Sequence, residues 1–157
     1  QRGIFTLHAS GNLASEEAMD KRRLEAERWL NQAEEDLATA RDLIEKRRFN
    51  WACFVAQQAA EKAIKAIYQA QAEIVEWVHS LAILIKGDSK QNIKGIPVLA
   101  ELYDEARELD KVYIPSRYPN ALPHGIPSQF YSKEDGEKCI RVAEKIIKKA
   151  KTFFKNM

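Results

Sequence analysis

Glycine and proline are both missing from residues 12–86, a run of 75 positions in a chain that holds six glycines and five prolines. So long a stretch without a helix breaker excludes a turn-rich β architecture and reads as long helices. The period-two alternation of half-buried strands is absent as well. Cysteine is scarce: Cys53 and Cys139 stand far apart within apolar helical patterns, where buried free thiols are expected rather than a disulfide framework. The longest apolar runs, residues 51–56 and 81–85, fall far short of the roughly 20 residues a membrane span needs. Residues 3–7 are too short and too weakly basic for a secretory signal, so a cytoplasmic protein is expected. An excess of one charge is lacking too. With 25 basic against 23 acidic residues the formal net charge is +2, which excludes a histone-like polycation and leaves any nucleic-acid role to local charge placement. There is no Gly-rich phosphate loop, zinc-protease helix motif or serine elbow. No paired-ligand spacing connects His8, Cys53, His79, His124 and Cys139, so neither metal nor cofactor is expected.

What the chain has is helical periodicity and enough apolar residues, 45% of 157, for one domain with a core. Leu30, Ala33, Leu37, Ala40 and Ile44 form one stripe, predicting a helix of about 25 residues that starts after Ser15. Residues 1–14, which open on Gln1 rather than Met, are expected to be a disordered or added tail without function, with the folded domain at 15–157. Lys46, Arg47 and Arg48 favour the negative end of the first helix, and Asn50 is the expected N-cap of the next. That second helix, residues 51–72, stacks Cys53, Ala56, Ala60, Ala63 and Ile67 on one face, with small side chains that let neighbours come close. Gln58, Glu61, Lys62 and Lys65 mark its other face, Glu61 and Lys65 at i,i+4 spacing. Further helices are predicted from about His79 to Gly87, from Pro97 to Leu109, and from Ser132 to Phe154. The last opens on a Ser132/Asp135 capping pair and repeats its stripe at Ile140, Ala143, Ile147 and Ala150. The expected fold is all-α: an antiparallel up-and-down four-helix bundle with an additional short helix and a long proline-rich loop before the last helix.

That loop, residues 110–131, carries four of the five prolines beside Tyr113, Arg117, Tyr118, His124 and Tyr131, and a long irregular connection inside a compact domain is commonly a binding or catalytic loop. Arg117 precedes His124 with six residues between. Such a pair suits RNA cleavage: an imidazole titrating near neutrality moves the 2′-hydroxyl proton, and a guanidinium holds phosphate. Arg2 and His8, with five residues between, make a similar pair in the expected tail, where it is accidental. The competing reading has Arg117 anchoring the loop to a bundle carboxylate and His124 as an exposed turn residue. His79 likewise reads either as a phosphate contact or as a capping residue. The lysines of the last helix, among them Lys145, read as a solvated or an RNA-contacting face, in a segment with seven basic and two acidic residues over 137–157.

The order of these features resembles a known family. Ala33-Glu34-Glu35-Asp36-Leu37, then the run from Trp51 through Gln57-Gln58-Ala59-Ala60-Glu61-Lys62 to Ala66, then His79-Ser80-Leu81, Arg117-Tyr118-Pro119 and Tyr131-Ser132, resemble the prokaryotic HEPN family over about residues 22–155. The resemblance implies a helical bundle that dimerises, encoded beside a small nucleotidyltransferase with which it forms a toxin-antitoxin pair. In some branches it implies a metal-independent ribonuclease using an arginine and a histidine at the spacing of Arg117 and His124. On this basis the expected function is a nucleotide- or RNA-interacting module, contacting its ligand through Arg117, Tyr118, His79 and Lys145. The alternatives are an endoribonuclease using Arg117 and His124, and a structural dimer without ligand.

Overall fold

The computed structural model describes residues 4–157, which are helical throughout their regular parts: α1 (Ile4–Glu45), α2 (Phe49–Ala70), α3 (Leu81–Lys86), α4 (Tyr103–Asp110), α5 (Pro127–Phe130) and α6 (Lys133–Lys155). The three long helices form the bundle. α2 is its centre, packed along one side by α1 and along another by α6. The sequence explains that position: Ala52, Ala56, Ala59, Ala60, Ala63 and Ala66 are all fully buried, covering more of the circumference than one stripe, and only small side chains allow two helices to close on a third. Gly136 on α6 continues the same logic, because a Cβ there would run into the side chain of Ile44. The expected stripes face inward, with Leu30, Ala33, Leu37 and Ala40 of α1 and Ile140, Ala143, Ile147 and Ala150 of α6 in one core.

The fourth position of the bundle is composite. The expected third helix shrinks to the six residues of α3, and a 3₁₀ turn over Pro97–Leu102 running into α4 supplies the rest of the layer. The turn between them reverses through Gly87 and Gly95, both at positive φ, where a Cβ would clash with backbone of the opposite arm at 2.8 Å. Tyr68 pins this unit to α2: its buried hydroxyl donates to the Leu84 carbonyl at 2.7 Å and accepts from the Gly95 amide at 3.0 Å. Burial pushes its phenol pKa above the ordinary value.

Two boundaries differ from expectation. α1 begins at Ile4 rather than after Ser15, because Ser15 does not cap a first turn; its hydroxyl donates back to the Asn12 carbonyl at 2.8 Å, the bond a serine makes inside a helix. Residues 1–3 of the expected tail, Arg2 among them, lie outside the described residues. Asn50 does not cap α2 either. The boundary residue is Arg48, with no side-chain cap, and Asn50 is buried inside the first turn. The Ser132/Asp135 capping box at the start of α6 is complete in both directions. Among the described residues no helix is long and apolar enough to cross a membrane.

Candidate functional site

Of the polar face expected along α2, Glu61 and Lys65 are turned inward, whereas Gln58 and Lys62 stay partly exposed. Gln57, Glu61 and Lys65 are buried, at 0%, 5% and 4% exposure, beneath the irregular segment that joins α2 to α3. Burying an ion pair costs desolvation unless every partner is satisfied, and here they are. Glu61 Oε1 accepts from Lys65 Nζ at 2.7 Å and meets His79 Nδ1 at 3.0 Å, while its Oε2 accepts from Gln58 at 3.2 Å. Lys65 Nζ also donates to the Glu76 carbonyl at 3.0 Å. Gln57 donates through Nε2 to the His79 carbonyl at 2.9 Å and accepts from Gln58 through Oε1 at 2.8 Å. Two side chains of α2, Gln57 and Glu61, thus bond His79 directly and are braced by Gln58 and Lys65, while the His79 side chain is itself half exposed.

The next residue, Ser80, caps α3 and ties this corner to the loop. Asp110, the last residue of α4, accepts from the Ser80 hydroxyl and from the Leu81 and Ala82 amides at 2.8–3.0 Å, neutralising the amide end of α3. From Asp110 the chain turns through residues 111–117. Asn50, on the first turn of α2, holds that turn by donating Nδ2 to the Ser116 carbonyl at 3.0 Å, both residues being buried.

Arg117 lies at the end of this turn among aromatic rings. Its guanidinium carbon stands 4.2 Å from the ring centre of Phe54, 4.7 Å from Tyr113 and 5.2 Å from Tyr118. Nε donates to the Tyr113 carbonyl at 2.9 Å, and among the described residues no carboxylate pairs with it. Stacking uses the flat faces of a guanidinium and leaves its in-plane donors open, so the two terminal nitrogens remain for an anion. The ring of Tyr113 also stacks on His79, 5.6 Å between centroids at 16°. The structure therefore brings Arg117, Tyr118 and His79 into one aromatic-lined cluster. Its supports Asn50, Phe54, Gln57, Glu61, Lys65 and Tyr113 were not among the expected site residues; the one available signal was the pair of charges at i,i+4 on a helix otherwise clothed in alanine.

The remaining expected residues lie elsewhere. Arg117 is not anchored by a bundle carboxylate, and His124 is exposed beyond a 3₁₀ turn at Pro119–Ala121, with no side-chain contact to Arg117 among the described residues. Lys145 sits on α6 and pairs with Glu105 of α4 at 2.9 Å. Its neighbours do likewise: Lys149 meets Glu101, Lys151 meets Glu34, and Arg41 of α1 meets Glu144. Three of the seven basic side chains counted along residues 137–157 are thereby paired across helices with acids distant in sequence, while Glu144, one of its two acids, is taken by Arg41. An apolar cleft of about 390 Å³ opens under the loop, lined by Leu109, Val112, Pro115, Leu122, Phe130 and Val142; none of the clustered residues lines it. Cys53 and Cys139 are buried and unbridged, and the neighbouring Cys139 together with burial drives the Cys53 thiol pKa far up. Among the described residues no group of three or more His, Cys, Asp and Glu side chains is gathered as a metal site would require.

Residues 26–153 match the family model described as HEPN domain. The protein called "Putative toxin MJ1304" in Methanocaldococcus jannaschii is 26% identical over 139 residues, covering 83% of this chain and 88% of that protein. Among solved structures, TT1696 from Thermus thermophilus superposes with a TM-score of 0.70 at 34% identity, covering 81% of this chain and 96% of its own. ST0689, described as an archaeal HEPN homologue, gives 0.67 at 35% identity, over 82% and 97% of the two chains. An HEPN domain protein of Thermotoga maritima, tm0613, gives 0.59 at 36%, over 83% and 99%.

Proposed function

Since the chain belongs to the HEPN domain family, we propose that it is a toxin-type helical module that binds RNA or a nucleotide through Arg117 and acts as the partner of a small nucleotidyltransferase. The observation that carries the reading is the stacked Arg117 guanidinium, which has no carboxylate partner among the described residues and lies between aromatic rings beside His79. A cation with open in-plane donors suits a phosphate, and exposed Tyr118 offers a face on which a base stacks. The archaeal relative with toxin in its name supports the pairing with a second protein. We place the protein in the cytoplasm, as a symmetric dimer. The large exposed side chains Trp51, Ile114 and Tyr118 near Arg117 favour an interface there. Lys145 carries no part of the reading, because Glu105 already engages it.

The test is binding of a labelled oligo(U) by fluorescence anisotropy in EDTA. Wild-type protein should bind with affinity falling as salt rises, and Arg117→Ala should lose about tenfold or more. Equal binding by that variant would refute the reading.

A second reading, a metal-independent endoribonuclease, is favoured by the imidazole that shares the Arg117 cluster. Incubation of mixed RNA in EDTA with wild type, Arg117→Ala, His79→Ala and His124→Ala separates it from binding alone. Loss of cleavage only in His124→Ala would return that residue to the centre.

A further inference from the structure

Glu61 and Lys65 make a buried ion pair that reaches the half-exposed ring of His79. Such a pair is expensive to keep in a helix that could carry apolar residues at both positions, and here the carboxylate oxygen that accepts from Lys65 at 2.7 Å is the same one that faces His79 Nδ1 at 3.0 Å. The lysine already balances the charge of Glu61. A carboxylate accepts and cannot donate, so Nδ1 carries a proton, and in the neutral form of the ring Nε2 is the bare nitrogen. Gln57 fixes the backbone of the same residue through its carbonyl, and Tyr113 fixes the plane of the ring.

We propose that Glu61 and Lys65 are positioning residues that lock His79 in the Nδ1–H tautomer, making Nε2 a hydrogen-bond acceptor toward the ligand that Arg117 holds by its phosphate. This rests on the phosphate-binding reading above. Arg117 and His79 both pack on the single ring of Tyr113, at 4.7 and 5.6 Å, and we seat one ribose-phosphate unit against both. An acceptor in that place selects a ligand with a hydroxyl beside its phosphate, and the 2′-hydroxyl is the group that distinguishes ribose from deoxyribose. His79 is thus the specificity-determining contact, whatever becomes of the bound strand.

Two measurements test this. Nitrogen-15 NMR of the histidine rings at pH 7.5 should find His79 protonated at Nδ1 in wild type and a mixture of tautomers in Glu61→Gln/Lys65→Met, the double change being chosen so that no buried charge is left alone. Finding His79 Nε2 protonated in wild type overturns the inference by itself. Anisotropy with oligo(U) and oligo(dU) of equal length should show the ribose form bound about tenfold more tightly, the worth of one well-placed hydrogen bond. His79→Ala should abolish that ratio by weakening oligo(U) alone, and the double variant should narrow it. If both oligomers bind equally to wild type, or His79→Ala weakens both alike, the inference fails and the phosphate-binding reading stands. If neither binds, both fail together.

Discussion

Removing the Asn50 side chain should loosen the Arg117 turn while leaving every residue of the cluster in place. Its amide is the donor that reaches the Ser116 carbonyl, at 3.0 Å between two buried residues. In Asn50→Ala that carbonyl is left buried and unpaired, a loss of about 1–3 kcal/mol. For a chain of this length each kcal/mol moves the melting temperature by roughly 2–4 °C, so a loss near 2 kcal/mol lowers it by about 4–8 °C. Asn50→Asp should be worse, since a carboxylate would face the carbonyl it cannot bond. The functional half of the prediction is a double-mutant cycle. Asn50→Ala should weaken oligo(U) binding in a chain that retains Arg117 and add nothing in Arg117→Ala, because it acts only by releasing the guanidinium. Calorimetry and anisotropy on four proteins decide it. An unchanged melting temperature, or an Asn50 effect that persists without Arg117, would refute the reasoning.

Tyr68→Phe deletes one hydroxyl with two buried partners, Leu84 and Gly95, and should cost about 1–3 kcal/mol by denaturant titration, with the loss absent if water enters to replace it. Native protein should expose no fast-reacting thiol to iodoacetamide at pH 8, since Cys53 and Cys139 are buried and the Cys53 proton is held tightly; both should label after denaturation. Stability should fall as pH rises above about 10, because burial pushes the folded-state Tyr131 pKa up to about 12 from an ordinary 10.0. Between those values the unfolded chain has released a proton that the folded chain keeps, which favours unfolding. Tyr131→Phe should flatten the alkaline limb of a melting-temperature curve, and an unchanged limb would exclude Tyr131 as its source.

Much of the fold was legible because helical burial repeats every 3.6 residues. The stripes through Leu30, Leu37, Ile140 and Ile147 face the core, and the Ser132 cap was readable from two residues. The composite fourth layer was not, since α3 is only six residues long and its place is shared with α4 by packing that leaves no periodic trace. Arg117, Tyr118 and His79 were legible as residue types in suggestive places, but their meeting was not. It depends on contacts between a helix face and two irregular segments, Asn50 with Ser116 and Glu61 with His79. Glu61 and Lys65 show the difficulty most sharply: spaced four apart they look the same whether they face water or a covering loop. Asn50 was misread for a related reason, a residue type favoured at caps being used for a tertiary bond.

The carboxylate of Asp110 closes the amino end of α3 while standing at the root of the turn that carries Arg117. Fraying of that short helix and opening of the loop are therefore one event rather than two. Histidine and arginine, 38 positions apart in sequence, are thereby tied to one support and should open as a single cooperative unit. The backbone amides of Leu81, Ala82 and Ser116 should then share one hydrogen-exchange opening free energy.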